Sequence, residues 1–272
     1  MFGRRKNKPL DWQGNEVRCD ACRHAGLKRE GRCALKLVCV MDRSSQGIEA
    51  FFSQNPDLSQ EYLAHPYFEV RAAAARYADV FYLTALLNDE DETVRWNAAL
   101  RLPHRFLLRM RSDPHREVRI RVAEHLEGEE LVSMMSDPDY FVRQTVAKRI
   151  GIPLLKIMMD DPDPEVRRIV ANRIAPEWLV EMLDDPDATV CLAAVERLTS
   201  TQILHLRFHE NFRVRYEVAR RIPVDALEAM RKDADPLVRE LVEERMHEAR
   251  MEQRAEHEII EINGHHREGR QR

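Results

Sequence analysis

Apolar positions along this chain return with one fixed period. The pair Val-Arg stands at Val70-Arg71, Val94-Arg95, Val118-Arg119, Val142-Arg143, Val166-Arg167, Val214-Arg215 and Val238-Arg239, with Val190-Cys191 in the remaining slot, all on one 24-residue step. Positions four, five and eight residues after the valine carry the unit's other small or apolar residues, and together with it they fall on one face of an α-helix. The fifth is alanine in six copies: Ala75, Ala99, Ala123, Ala147, Ala171 and Ala219. Three residues before the valine, Asp91, Asp139, Asp163, Asp187, Asn211 and Asp235 are good N-caps, and Pro164 and Pro236 follow at the first helical position, where proline costs no hydrogen bond. The helix should close near Pro103, Gly151 and Pro223, the ninth position of their units.

About a dozen residues remain in each unit to return the chain. They carry compact apolar stretches such as Leu155-Lys156-Ile157-Met158-Met159 and Leu179-Val180-Glu181-Met182-Leu183. Their spacing is helical but too short for a second full α-helix, so a short 3-10 or α turn is expected. No unit of this size buries its own stripe. The pattern therefore predicts an all-α solenoid of eight repeats over 65–250, in which neighbours share one continuous core.

Two rows of arginine run with the repeat. The first follows each valine, and an aspartate stands five residues before the valine in six copies: Asp89, Asp113, Asp137, Asp161, Asp185 and Asp233. A row of phosphate-binding guanidiniums is one reading. An Asp–Arg ladder between units is the preferred one, because a buried arginine needs a partner and the aspartates repeat with it. The second row, Arg101, Arg149, Arg173, Arg197, Arg221 and Arg245, falls in the last helical turn, where it suits the helix dipole or faces an acidic partner.

The period, the Asp-Pro turns (Asp113-Pro114, Asp137-Pro138, Asp161-Pro162, Asp185-Pro186) and the leucine positions resemble the leucine-rich repeat variant family. That resemblance implies alternating α and 3-10 helices in a right-handed superhelix. His65-Pro66 and His209-Glu210 depart from its turns.

Charge separates a second region. Residues 1–45 hold 11 Lys/Arg against 5 Asp/Glu, an excess of +6, so the rest must sum to −10 to give the net −4. A basic head on an acidic body is not the signature of a dedicated nucleic-acid binder. Within the head stand Cys19, Cys22, Cys33 and Cys39, spaced Cys-x2-Cys-x10-Cys-x5-Cys. Such a cluster reads as metal ligands in a reducing compartment. On spacing alone zinc and an iron–sulfur cluster are even. No residue between Cys33 and Cys39 marks a tight turn. Members of the resembled family with a cysteine-rich head carry a four-iron, four-sulfur cluster and are associated with nitrogen-fixing bacteria. This implies a 4Fe-4S ligand set of Cys19, Cys22, Cys33 and Cys39. Arg18, Arg23, Lys28, Arg29, Arg32 and Lys36 would offset the charge of either metal group. His24 is left beside the site or exposed.

The expected division is a basic tail 1–17, a four-cysteine metal module 18–45, a connector and cap 46–64, the repeats 65–250 and a charged, disordered tail 251–272. Leu58, Tyr62 and Leu63 look like the second half of a unit, so the module is expected to replace a first helix and cap the stack. No catalytic constellation is present, and no apolar run would span a bilayer. The expectation is a cytoplasmic, non-enzymatic scaffold for an unidentified protein partner, with a structural or redox-sensing cluster and no membrane, nucleic-acid or small-molecule substrate. Electron transfer, or a zinc- or nucleic-acid-binding solenoid, are the alternatives.

Overall fold

The structure is a computed structural model that describes residues 8–268, with side chains to residue 255. Its contacts divide the chain into two compact units, Met1–Val146 and Ala147–Arg272, with the boundary inside the helix Tyr140–Arg149. The sequence period runs through that boundary unchanged.

In the first unit the repeat helices Phe68–Tyr77, Glu92–Ala99 and Arg116–His125 alternate with Val80–Asn88 (3-10), His104–Met110 and Gly128–Val132 (both α). In the second, Pro164–Arg173, Ala188–Arg197, Phe212–Arg221 and Pro236–Glu268 alternate with short segments. These are 3-10 at Ile152–Met158, Leu204–Phe208 and Val224–Met230, while Pro176–Leu179 is α and runs into a 3-10 turn, Val180–Met182. All six proposed N-caps act: the side chains of Asp91, Asp139, Asp163, Asp187, Asn211 and Asp235 each accept an amide two residues on, at 2.8–2.9 Å.

The core is the periodic stripe. The repeat valines and the residues four later, from Val70 and Ala74 to Val238 and Val242, are buried. The short segments add Leu83, Leu107, Leu131, Leu155, Leu179, Ile203 and Leu227. A further buried row, Leu86, Met110, Met134, Met158, Met182, Leu206 and Met230, lies three residues beyond these. Each such side chain contributes ~1.5–3 kcal/mol on leaving water.

Wherever the structure gives both partners, the first arginine row is a ladder. Arg71 donates through Nε and Nη2 to Asp89, both at 2.8 Å, and Arg95 does the same to Asp113 at 2.7 Å. Arg119–Asp137, Arg167–Asp185 and Arg215–Asp233 repeat the fork. The remaining Nη1 binds turn carbonyls of its own repeat, as Arg95 does at Asp89 (2.8 Å) and Glu90 (3.2 Å). Each aspartate also accepts the amide two residues on. The Arg215 guanidinium holds the Asp233 carboxyl below the usual range.

Two rungs differ. Cys191 replaces an arginine, and His209, eighteen residues later, replaces the aspartate. His65 likewise follows a helix with no arginine, Ser45–Gln54. A carboxylate without its guanidinium would be half-buried and uncompensated. The histidines keep the turn-capping bond without that charge: His65 Nδ1 accepts the Tyr67 amide at 3.1 Å and His209 Nδ1 the Asn211 amide at 3.0 Å.

The second arginine row caps helices, but not its own. Arg101, Arg173, Arg197, Arg221 and Arg245 reach back to the final carbonyls of the preceding repeat helix. Arg245 Nη1 donates to Ala219 (2.6 Å) and Ile222 (2.8 Å), and Arg197 Nη1 to Ala171 (2.7 Å). Arg101 reaches Ala75 at 3.0 Å and also Ala78. These bonds join units as well as satisfying orphan carbonyls.

Three expectations are corrected. The connector is not missing its helix: Ser45–Gln54 is a full repeat helix followed by the 3-10 segment Pro56–Tyr62. Both its ends precede those of Phe68–Tyr77 by one position less than the period, so a strict 24-residue register hides it, and Ile48, Phe51 and Phe52 supply the buried face. The segment expected as a basic tail is folded over 9–17: Val17 N–H bonds Pro9 O (3.0 Å), and Trp12 stacks on Tyr67 with ring centroids 5.8 Å apart; residues 1–7 lie outside the described residues. Residues 251–268, expected as a disordered tail, continue the helix that begins at Pro236. Residues 269–272 lie outside the described residues.

Candidate metal centre

Each cysteine is brought in by a local device. Cys19 and Cys22 precede the short helix Ala25–Arg29, and the Cys22 carbonyl accepts the Ala25 amide at 3.0 Å. The His24 amide points at Cys22 Sγ (3.4 Å). Gly31, at φ +76°, turns the chain back: its amide bonds Lys28 O, and the Arg32 amide bonds Leu27 O at 2.9 Å. Only glycine adopts that backbone freely.

Between Cys33 and Cys39 the chain does make a tight turn, which the sequence does not betray. Ala34 and Val38 form an antiparallel bridge, with N–H···O bonds of 2.8 and 2.7 Å. Lys36 at the tip takes φ +67°, a conformation usually left to glycine. The residues flanking such a bridge are the next pair across, so a five-residue spacer sets Cys33 beside Cys39. The Cys39 amide then bonds Gly47 O (2.9 Å), fastening the loop to the first helix.

The four thiols share one neighbourhood. Burial, then the neighbouring Cys39, Cys22 and Cys19, pushes the Cys33 thiol up to about 11. Burial also raises Cys39, against the pull of amide hydrogen bonds from Met41 and Asp42. Among the described residues no three His, Cys, Asp or Glu side chains stand in a finished single-ion shell. Cys39, Cys22 and Cys19 nevertheless lie near enough to Cys33 to act on it electrostatically. Buried thiolates repel one another unless a cationic centre compensates them, which is the donor set and charge balance of a metal or iron–sulfur group.

The surroundings differ from the expected ring of cations. Arg18 pairs with Asp20 (2.7 Å), Arg23 with Glu61, and Arg32 with Asp57 (3.3 Å). His24 is buried rather than exposed, with Nε2 hydrogen-bonded to the Tyr62 hydroxyl and its ring 5.1 Å from that of Phe51. Burial, then Arg23, lowers its pKa, with Glu61 opposing. Burial raises Tyr62 to about 12. Asn55, fully buried, donates to Arg32 O (3.0 Å) and Phe51 O (2.8 Å), tying the loop before Cys33 to the helix end. Neither Asn55 nor the His24–Tyr62 pair carries a sequence signal, since both depend on contacts across the fold.

This module and the first repeat share a core. Cys33 and Val40 pack in one cluster with Ile48, Phe51, Phe52 and Tyr62, and that cluster includes Val70, Ala73 and Ala74. Cys191 belongs to the other unit: it is buried in Ala188–Arg197, its thiol pushed up to about 12 by burial and then by Asp184 and Asp185. Among the described residues no helix is long and apolar enough to cross a membrane.

Residues 9–61 match the family model described as "LRV protein FeS4 cluster". The chain is 52% identical over 96 residues to an uncharacterized 27.7 kDa protein in the nifB 3′ region of Rhodobacter capsulatus, a match covering 35% of this chain and 39% of that protein. The chain thus spans about two fifths of that relative's length. A solved structure described as a leucine-rich repeat variant with a novel repetitive structural motif matches at 38% identity and a TM-score of 0.77, over 83% of this chain and 97% of that one. The cysteine module is an iron–sulfur domain by this likeness, and zinc finds no support in it. With its α and 3-10 repeats and its cysteine-rich head, the chain belongs to the leucine-rich repeat variant family, as an iron–sulfur-binding repeat protein.

Proposed function

We propose that this protein is a non-catalytic binding scaffold whose repeats engage another protein and whose head holds a four-iron, four-sulfur cluster on Cys19, Cys22, Cys33 and Cys39. The observation that carries the reading is the gathering of four thiols over a core that also contains Val70, Ala73 and Ala74. The cluster would supply a redox-active, oxygen-sensitive centre. The chain's own residues hold and insulate it: Cys33 and Cys39 from the Lys36 turn, Cys19 and Cys22 from the start of Ala25–Arg29, and His24 and Tyr62 beneath. The state of the cluster would thereby bear on the order of the first repeats. The ladder arginines are engaged by aspartates, which favours a protein partner over phosphate backbones. The Rhodobacter relative, a protein of the nifB 3′ region, suggests a setting in nitrogen fixation.

Anaerobic purification tests the centre: iron and acid-labile sulfide should be present in equal amounts, with broad absorption near ~400 nm. Stoichiometric zinc without sulfide would refute the cluster while leaving the ligands. Photo-crosslinkers placed along the repeats test the scaffold, which requires a protein adduct at some position in nitrogen-fixing cells.

A further inference from the structure

The second unit carries a surface that its own fold does not use. On its short segments, Ile152, Leu154, Ile157 and Val180 are exposed, Ile157 to 68%. By register these stand on the outward side of two consecutive repeats, between the buried Leu155 and Leu179 rows. Beside them is a groove of about 460 Å³ whose lining includes Lys156, Asp160, Glu181 and Asp184. Glu177 lies on the same segment as Val180 and is also exposed.

The charges of this groove are unbalanced. Of its two cations, Arg167 is neutralised by Asp185 within the groove, and Lys156, its Nζ 3.2 Å from the centre of the Trp178 ring, is a single charge against Asp160, Glu181 and Asp184. Asp160, Glu177, Glu181 and Asp184 are all exposed and form no ion pair among the described residues. Four uncompensated carboxylates around four exposed apolar side chains repel a second acidic surface. They attract one with the opposite sign and an apolar stripe of its own.

We propose that this face of residues 152–184 is the docking site for a basic amphipathic segment of a partner protein. Its apolar side chains rest on Ile157 and Val180, and its lysine or arginine heads enter the groove between Asp160, Glu181 and Asp184. The proposal rests on the scaffold reading and specifies where and what the scaffold binds. The Val80-Phe81-Tyr82 surface of the first unit is equally exposed but carries no such acidic rim, with Arg105 and Arg109 on the following segment.

The test uses the full chain and a labelled amphipathic Leu/Lys helix peptide, read by fluorescence anisotropy at physiological salt. A Leu/Glu peptide of the same stripe and a Lys/Ser peptide of the same charge serve as comparisons. The Leu/Lys peptide should bind best. Ile157→Asp with Val180→Asp should weaken it ~10-fold or more, and Glu181→Lys with Asp184→Lys should transfer preference to Leu/Glu. Phe81→Asp should change nothing. Both double variants alter exposed side chains, and unchanged circular dichroism checks the fold. Equal binding of Lys/Ser, or equal loss at Phe81, would reduce the effect to general charge and overturn the proposal. A self-association that Ile157→Asp abolishes would assign the face to a second copy and overturn it too. A crosslinked protein at position 81 but not 157 would sink this site and leave the scaffold; no adduct anywhere would sink the scaffold itself.

Discussion

The cysteine module and the repeats are ordered by opposite means. Ala25–Arg29 buries no residue, and the loops around it depend on a glycine turn and a bridge that carry four free cysteines. A repeat such as that of Val94 buries its stripe, caps its own helix through Asp91 and forks Arg95 onto the next unit. The first depends on local turns and its cysteines; the second on a packed stripe, caps and ion pairs. Sensitivity to metal should therefore be confined to one end of the first unit.

Removing the group should give the largest effect. Cys33→Ser should abolish retention of iron, and hydrogen exchange should quicken through residues 18–43 and into 66–90, where the shared core ends. Protection in Pro164–Arg173 and beyond should hardly change, because coupling between repeats is mainly to nearest neighbours. Cys191→Ser should keep full metal. Uniform protection with and without the cluster would erase the contrast and any role for the metal as a cap.

The ladder can be broken and repaired. Asp113→Ala leaves the buried Arg95 guanidinium unpaired and should cost ~3–5 kcal/mol, with exchange rising over residues 92–125. At the natural gap the reverse is expected. Cys191→Arg and His209→Asp should each destabilise alone, one by burying a cation and the other an anion. Together they should show a favourable coupling of ~1–3 kcal/mol in a double-mutant cycle. Strict additivity would mean the gap is not a missing rung.

Most of the repeat is legible in the sequence because each position does the same job in copy after copy: the valine in all eight, the arginine in seven, the cap and the alanine in six. What the period hides is whatever breaks it. The helix Ser45–Gln54 escapes by a one-residue shift, and the Cys33–Cys39 turn escapes because its positive-φ residue is Lys36, not glycine. The second arginine row reads, by spacing, as belonging to its own helix, because side-chain reach between neighbours is not written in spacing. The four ligands are visible as a cluster; His24, Tyr62 and Asn55 beneath them become visible only with the fold.

The smallest expected effect concerns acid. Burial, then Arg71, holds the His65 imidazole below its usual value of 6.5, and the neutral ring is the form that accepts the Tyr67 amide. The folded state therefore binds its proton later than the unfolded chain. The stabilisation is fully present above the unfolded value and is lost as pH falls through the lower folded one. Protonated Nδ1 can no longer accept the Tyr67 amide, so protection over 65–77 should weaken at mildly acid pH. His65→Asn, which keeps an acceptor that does not titrate, should flatten that dependence, and an unchanged slope would remove His65 as its source.

The ladder also governs how such a chain can change length. Each rung joins residues 18 apart, less than one 24-residue unit, yet it crosses from one copy to the next, so turns such as Asp113-Pro114 and Asp137-Pro138 are held from both sides. Excising or duplicating one whole period, wherever the cut falls between Val94 and Val166, restores an arginine eighteen residues before an aspartate at the scar. A deletion of one residue restores nothing and strands a charge on each side. Copy number is thus a freely heritable variable in this chain and register is not. The junction with a different step, one residue short of the period on entering Phe68–Tyr77, is where the ladder has no arginine to misplace.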